Sequence, residues 1–135
     1  MKAFGAVSVE FNPCFHYQFS ERFNSASFLR FIKRMVTFNP HRKILLIVDN
    51  ARYHHAKVVT DWIRENSDRI EIYYLPPYSP DLNAAEHVWR LTKRSTTHNR
   101  HFPDLNVLRH KIQRRFNRFQ GNPNSLRSAV RRFIA

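Results

Sequence analysis

Five consecutive apolar residues, Ile44-Leu45-Leu46-Ile47-Val48, stand between Lys43 and Asp49, and no other stretch restricts the fold as strongly. The run is too short for a buried helix and has no polar alternation. It reads as a β-strand covered on both faces, the kind found in sheets with a layer on each side. At 135 residues the chain fits one domain large enough to bury a core.

The flanking sequence supplies elements for such layers. Residues 1–11 form an apolar, β-branched and aromatic run; a turn at Asn12-Pro13 and a weakly alternating stretch from Cys14 to Phe19 complete a predicted β-hairpin. Asn24 or Ser25 can cap a helix whose apolar positions Phe28, Phe31, Ile32, Met35 and Val36 recur at helical spacing until Asn39-Pro40. After Asp49, a helix over 56–66 carries Val58, Val59, Trp62 and Ile63 on one stripe, and a second strand runs from Ile70 to Tyr74. Three prolines within Leu75–Leu82 remove backbone donors and fix φ, predicting a stiff loop. Helices are expected from Asn83 to about Thr97, from Asp104 to Gly121 with Leu105, Leu108, Ile112, Phe116 and Phe119 inward, and from Asn124 with Leu126, Val130, Phe133 and Ile134 inward. The order is that of an α/β layered domain, with 1–100 as the α/β part and 101–135 as a basic helical flank.

Charge narrows the partners. The chain has 23 Lys and Arg against 10 Asp and Glu, a formal +13. Residues 86–135 hold twelve of the basic and two of the acidic residues. A polyanion is the natural partner, and Arg and Lys of the flank would contact phosphates, although a solvated basic face fits the same residues. Hydrophobic content of 42% excludes a disordered composition. The single Cys14 excludes a disulfide framework and a cysteine-based zinc cluster, and His41, His54, His55, His98 and His101 match no usual zinc spacing. No apolar run approaches the roughly 20 residues of a membrane span and no leader pattern is present, so the expectation is a cytoplasmic protein without membrane contact.

Two segments concentrate the chemistry: Val48-Asp49-Asn50-Ala51-Arg52-Tyr53-His54-His55 and Leu75-Pro76-Pro77-Tyr78-Ser79-Pro80-Asp81-Leu82-Asn83-Ala84-Ala85-Glu86. Asp49 leaves the carboxyl end of the buried strand, the edge where open α/β sheets place ligands. Glu86 opens a helix. Carboxylates on rigid elements suit hard divalent ions, and paired ions orient the attacking and leaving oxygens of phosphodiester cleavage. Plainer roles fit each residue. Asp49 can accept backbone donors at a strand end, and Glu86, three residues after Asn83, has capping-box spacing. Asp81 reads as a loop residue rather than a ligand. His54 can orient a phosphate or carboxylate, or be satisfied by backbone. Trp62 and Trp89 read as core, and Tyr78 as loop packing rather than base stacking.

Both segments resemble the second and third signature regions of DDE transposases in the bacterial insertion-sequence branch of the mariner superfamily. The resemblance covers essentially the whole chain, with 36 residues between the two acids and Trp89-Arg90 following the Glu. It implies a ribonuclease H-like α/β domain with a mixed sheet and a C-terminal helical flank. It also implies metal-dependent strand cleavage and transfer, with Asp49 and Glu86 as catalytic residues and ligands of Mg²⁺ (or Mn²⁺). The implied partner is DNA, both transposon ends and target, with self-association or association with a full-length transposase as a further expectation. The chain departs from the family in two places. Ala84-Ala85 replace the usual Pro-Ile, and no Asp occurs before Asp49, where the family's first catalytic acid lies on the strand preceding the hairpin. The expectation is therefore a domain whose first central strand is missing and which is incomplete for catalysis by itself. A non-catalytic basic DNA-binding or interaction fragment is the alternative, and a chain that does not fold stably is a third.

Overall fold

The computed structural model describes residues 2–96 and 104–134. Its elements follow in the order β1 (Lys2–Val7), β2 (Phe15–Ser20), α1 (Ser25–Phe38), β3 (Ile44–Val48), α2 (Lys57–Glu65), β4 (Ile70–Tyr74), α3 (Ala84–Thr96), α4 (Leu105–Gly121) and α5 (Asn124–Val130). The predicted helix end near Thr97, Pro103 and two of the histidines, His98 and His101, lie outside the described residues. Among the described residues no helix is long and apolar enough to cross a membrane. The chain divides into two compact units, one built from Gln18–Asn83 and the other from Ala3–Tyr17 with Ala84–Ala135.

In the first unit α1 starts on a reciprocal cap: the Asn24 side chain accepts from Ser27 N–H and the Ser27 hydroxyl accepts from Asn24 N–H. Of the two candidate caps, Asn24 takes the role. At the other end the Arg69 guanidinium donates to the carbonyls of Val36 and Asn39 at 3.1 and 2.7 Å, adding to the backbone N–H that each already accepts. Strands β3 and β4 pair in parallel, Ile44 beside Ile70 and Val48 beside Tyr74. Parallel neighbours need a crossover, and α2 provides it.

The register sorts side chains by face, and here the expected double burial of β3 is corrected. Leu46 and Val48 are buried, whereas Leu45 and Ile47 are 61% and 55% exposed. Buried residues of α1 (Phe28, Phe31, Ile32, Met35) and α2 (Val59, Ile63) form this unit's single apolar layer. The other face, which Leu45 and Ile47 share with Glu71 and Tyr73, has no such layer among the unit's described residues. Val58 likewise leaves the predicted stripe of α2 and is exposed.

In the second unit the hairpin β1–β2 turns through residues 8–14, where Ser8 N–H donates to the Cys14 carbonyl and Cys14 N–H to the Ser8 hydroxyl. Its core is aromatic. Phe15 meets Phe116 at 5.3 Å, Phe119 at 5.7 Å and Trp89 at 6.4 Å between ring centroids, all near edge-to-face. Gly5 makes room for Trp89: a Cβ there would fall 2.4 Å from the indole Cη2. Tyr17 donates to Asn117, and Gln120 to the Phe15 carbonyl, so α4 is bonded to β2 as well as packed on it. Leu126, Ala129 and Val130 bury α5. Leu105, expected inward, is 67% exposed at the first turn of α4.

The four strands form two separate pairs rather than one mixed sheet. A continuous sheet needs a strand bonded to both pairs, and no described strand is.

Candidate active site

Asp49 occupies the first position after β3. Its Oδ1 accepts from Ala51 N–H at 3.0 Å, an Asx turn that bends the chain out of the sheet and into a single 3-10 turn over Arg52–His55. His54 then folds back. Its Nδ1 lies 3.0 Å from the Asp49 carbonyl oxygen and 3.1 Å from Oδ1. Two oxygen acceptors at one ring nitrogen assign the proton to Nδ1. The ring is buried, 4.4 Å from Phe28 and 4.5 Å from Tyr53 between centroids. Burial pushes the imidazole below its ordinary pKa, and the attraction of Asp49 only partly restores it. His54 is thus a neutral donor that fixes the carboxylate. Burial, with the nearby Asp49 charge, also raises the Tyr53 hydroxyl.

Further bonds tie this turn to the end of β4. Leu75 N–H donates to the Val48 carbonyl at 2.8 Å, extending the parallel ladder by one residue. The Asn50 amide donates to the Leu75 carbonyl. Tyr74 donates its hydroxyl to the His54 carbonyl at 3.0 Å, and its ring stacks on His55 at 4.0 Å, with His55 Nε2 3.3 Å from Asn50 Oδ1. Asp49 is therefore held on both sides while its side chain remains 58% exposed. Both side-chain contacts fall on Oδ1, and no bond to Oδ2 occurs among the described residues.

Glu86 lies in the first turn of α3, in the other compact unit. α3 is fixed by Val88, Thr92 and Thr96, buried at successive turns, with each threonine hydroxyl returned to the carbonyl four residues earlier. Trp89 anchors the same turn against Phe15 and Phe116. The Glu86 carboxylate has no hydrogen-bond partner among the described residues, so the capping role its spacing permits is not taken up. Asp81 sits exposed in a 3-10 turn over Pro80–Leu82, a short regular element inside the predicted stiff loop.

The loop also corrects the reading of Tyr78, whose side chain is 102% exposed and packs against nothing. Three residues that build the Asp49 site, Asn50, His55 and Tyr74, carried no role in the sequence reading. The only signal was that Asn50 and His55 fell inside the same short segment as Asp49.

With Asp49 after a strand of a parallel β–α–β unit and Glu86 in the first turn of a later helix, the chain has a mixed α/β fold. A solved structure shares it: the catalytic domain of the Mos1 mariner transposase, with a TM-score of 0.55 at 16% identity, over 95% of this chain and 79% of that one. The sequence profile of the DDE superfamily endonucleases matches residues 1–109, and the chain belongs to that family. It is also 31% identical over 91 residues to the uncharacterized 39 kDa protein of insertion element IS630 from Shigella sonnei, an alignment spanning 67% of this chain and 26% of that protein. These likenesses agree with the insertion-sequence and mariner branch indicated by the two motifs.

Proposed function

We propose that the chain is a portion of a metal-dependent DNA transposase catalytic domain, and that Asp49 and Glu86 are its second and third catalytic acids. The observation that carries this reading is the Asp49 turn. A carboxylate at a strand end is held through one oxygen by His54 and Ala51 while its side chain stays 58% exposed. Both side chains are hard oxygen donors with acceptor capacity to spare, which fits Mg²⁺ or Mn²⁺. When bound, such ions lower the pKa of a coordinated water and stabilise charge on the phosphate oxygens. The chain's own residues hold the ligands in place: His54 and Ala51 fix Asp49, and the Trp89–Phe15 packing fixes the turn bearing Glu86.

Two carboxylates are one fewer than the family uses. On this reading the chain alone is incomplete for catalysis, and the first acid has to be supplied to it. The DNA partner, transposon ends and target, would be held partly by phosphate contacts. From 105 to 134 the chain has eight Lys and Arg and no acidic residue, and Arg114 and Arg118 stand exposed one turn apart on α4. Such contacts are independent of base sequence and weaken steeply with salt. The same basic run favours a second reading, a non-catalytic DNA-binding fragment acting in the cytoplasm, alone or beside a full-length transposase.

Nicking of an end-labelled duplex separates the two. The chain supplied in trans with a segment of a full-length relative that carries the first acid should nick DNA with Mg²⁺ or Mn²⁺, and Asp49→Asn or Glu86→Gln should abolish this. DNA binding that persists without metal, with no nicking from a verified complex of both segments, would establish the second reading instead.

A further inference from the structure

Tyr78 is the only non-glycine residue with a positive φ among the described residues, at 56°. A side chain in that region costs about 1–3 kcal/mol, which glycine would avoid. No contact of the ring offsets that cost, because the side chain is fully exposed. The segment around it is stiff rather than loose. Pro76, Pro77 and Pro80 restrict the backbone. Ser79 donates its hydroxyl to the Pro77 carbonyl at 3.2 Å, and the N–H groups of Leu82 and Asn83 close onto Ser79 and Pro80. At its root, Leu75 is bonded to Val48 and to Asn50, the residues on either side of Asp49. A stiff arm that follows β4, its root bonded to the residues beside Asp49, thus presents a bare aromatic ring to solvent.

The charge around the arm indicates which part of a nucleic acid the ring would meet. Residues 70–89 contain no Lys or Arg, while Glu71, Asp81 and Glu86 fall within them. The segment itself offers phosphates no cation, and Lys43, which meets it at Glu71, is paired there. The flat face of a base, uncharged and displaced from its stack, is what an isolated ring can hold, and stacking of this kind tolerates any sequence. The geometry points to Tyr78 as a stacking platform for an unpaired nucleobase of the DNA strand handled beside Asp49. This inference rests on the DNA reading given above.

Its test is the affinity of the full chain for two labelled DNA hairpins, one blunt and one with a short single-stranded 3′ overhang, measured by fluorescence anisotropy. Tyr78→Gly removes the ring while suiting the backbone, and Tyr78→Phe keeps a stacking face; melting temperatures near that of the parent confirm both folds. Tyr78→Gly should lose about tenfold in affinity for the overhang DNA, consistent with base–aromatic stacking, and keep its affinity for the blunt DNA. Tyr78→Phe should match the parent on both. Equal affinities of Tyr78→Gly and parent, or an equal loss on both DNAs, would overturn the stacking role and leave the DNA reading intact. A parent chain that binds neither hairpin would overturn both.

Discussion

At Gly5 a single hydrogen atom decides whether the hairpin and α3 can pack. The indole of Trp89 occupies the space that any side chain at this strand position would need. Gly5→Ala should therefore lower stability by about 1–3 kcal/mol, the usual cost of overpacking a core, as a drop in urea midpoint with an unchanged slope. His54 shows the opposite kind of dependence, a polar ring buried for the bonds it makes. His54→Ala should cost about 1–3 kcal/mol, since it opens a cavity beside Phe28 and releases the Asp49 turn. His54→Asn, which can still donate to the Asp49 carbonyl, should recover part of that loss. An equal melting temperature for parent and His54→Ala would show that the turn holds without the ring. The sequence already carried Asp49, Glu86 and the candidate His54 within two short segments. It left open whether His54 met a carboxylate or the backbone; the structure answers both, from a single nitrogen.

Elements were legible where one face decides their pattern. α1 has its inward residues as spaced in the sequence, and β3, β4 and the hairpin stand where predicted. Local caps were legible too: Asn24→Ala should cost about 1 kcal/mol, since the Ser27 N–H loses its acceptor, measured by thermal or urea unfolding. What was not legible depended on partners. An apolar run says that a strand can be covered twice, whereas whether it is depends on a second layer, so Leu45 and Ile47 were misjudged. Leu105 was misjudged for the same reason, since helical spacing marks a face but not how far along α4 its cover extends. Tyr78 is exposed rather than packed in its loop, and its positive φ is a conformation no residue pattern announces.

For the whole molecule, charge asymmetry and the two acids belong to one account. An eight-cation stretch without acids follows α3, and its phosphate contacts should appear as a linear fall of log affinity with log salt. Arg114→Ala and Arg118→Ala should each reduce that slope by about 1, with blunt duplex binding weakened regardless of sequence. An unchanged slope would remove α4 from the interface. The proposed function makes Asp49 and Glu86, 37 positions apart in sequence, both metal ligands. Paramagnetic broadening of backbone amide resonances during a Mn²⁺ titration tests it most directly. Amides around Asp49–Ala51 and around Ala85–His87 should broaden together, and Asp49→Asn should suppress both sets. Broadening at one segment alone, or at Glu86 undiminished in Asp49→Asn, would contradict it.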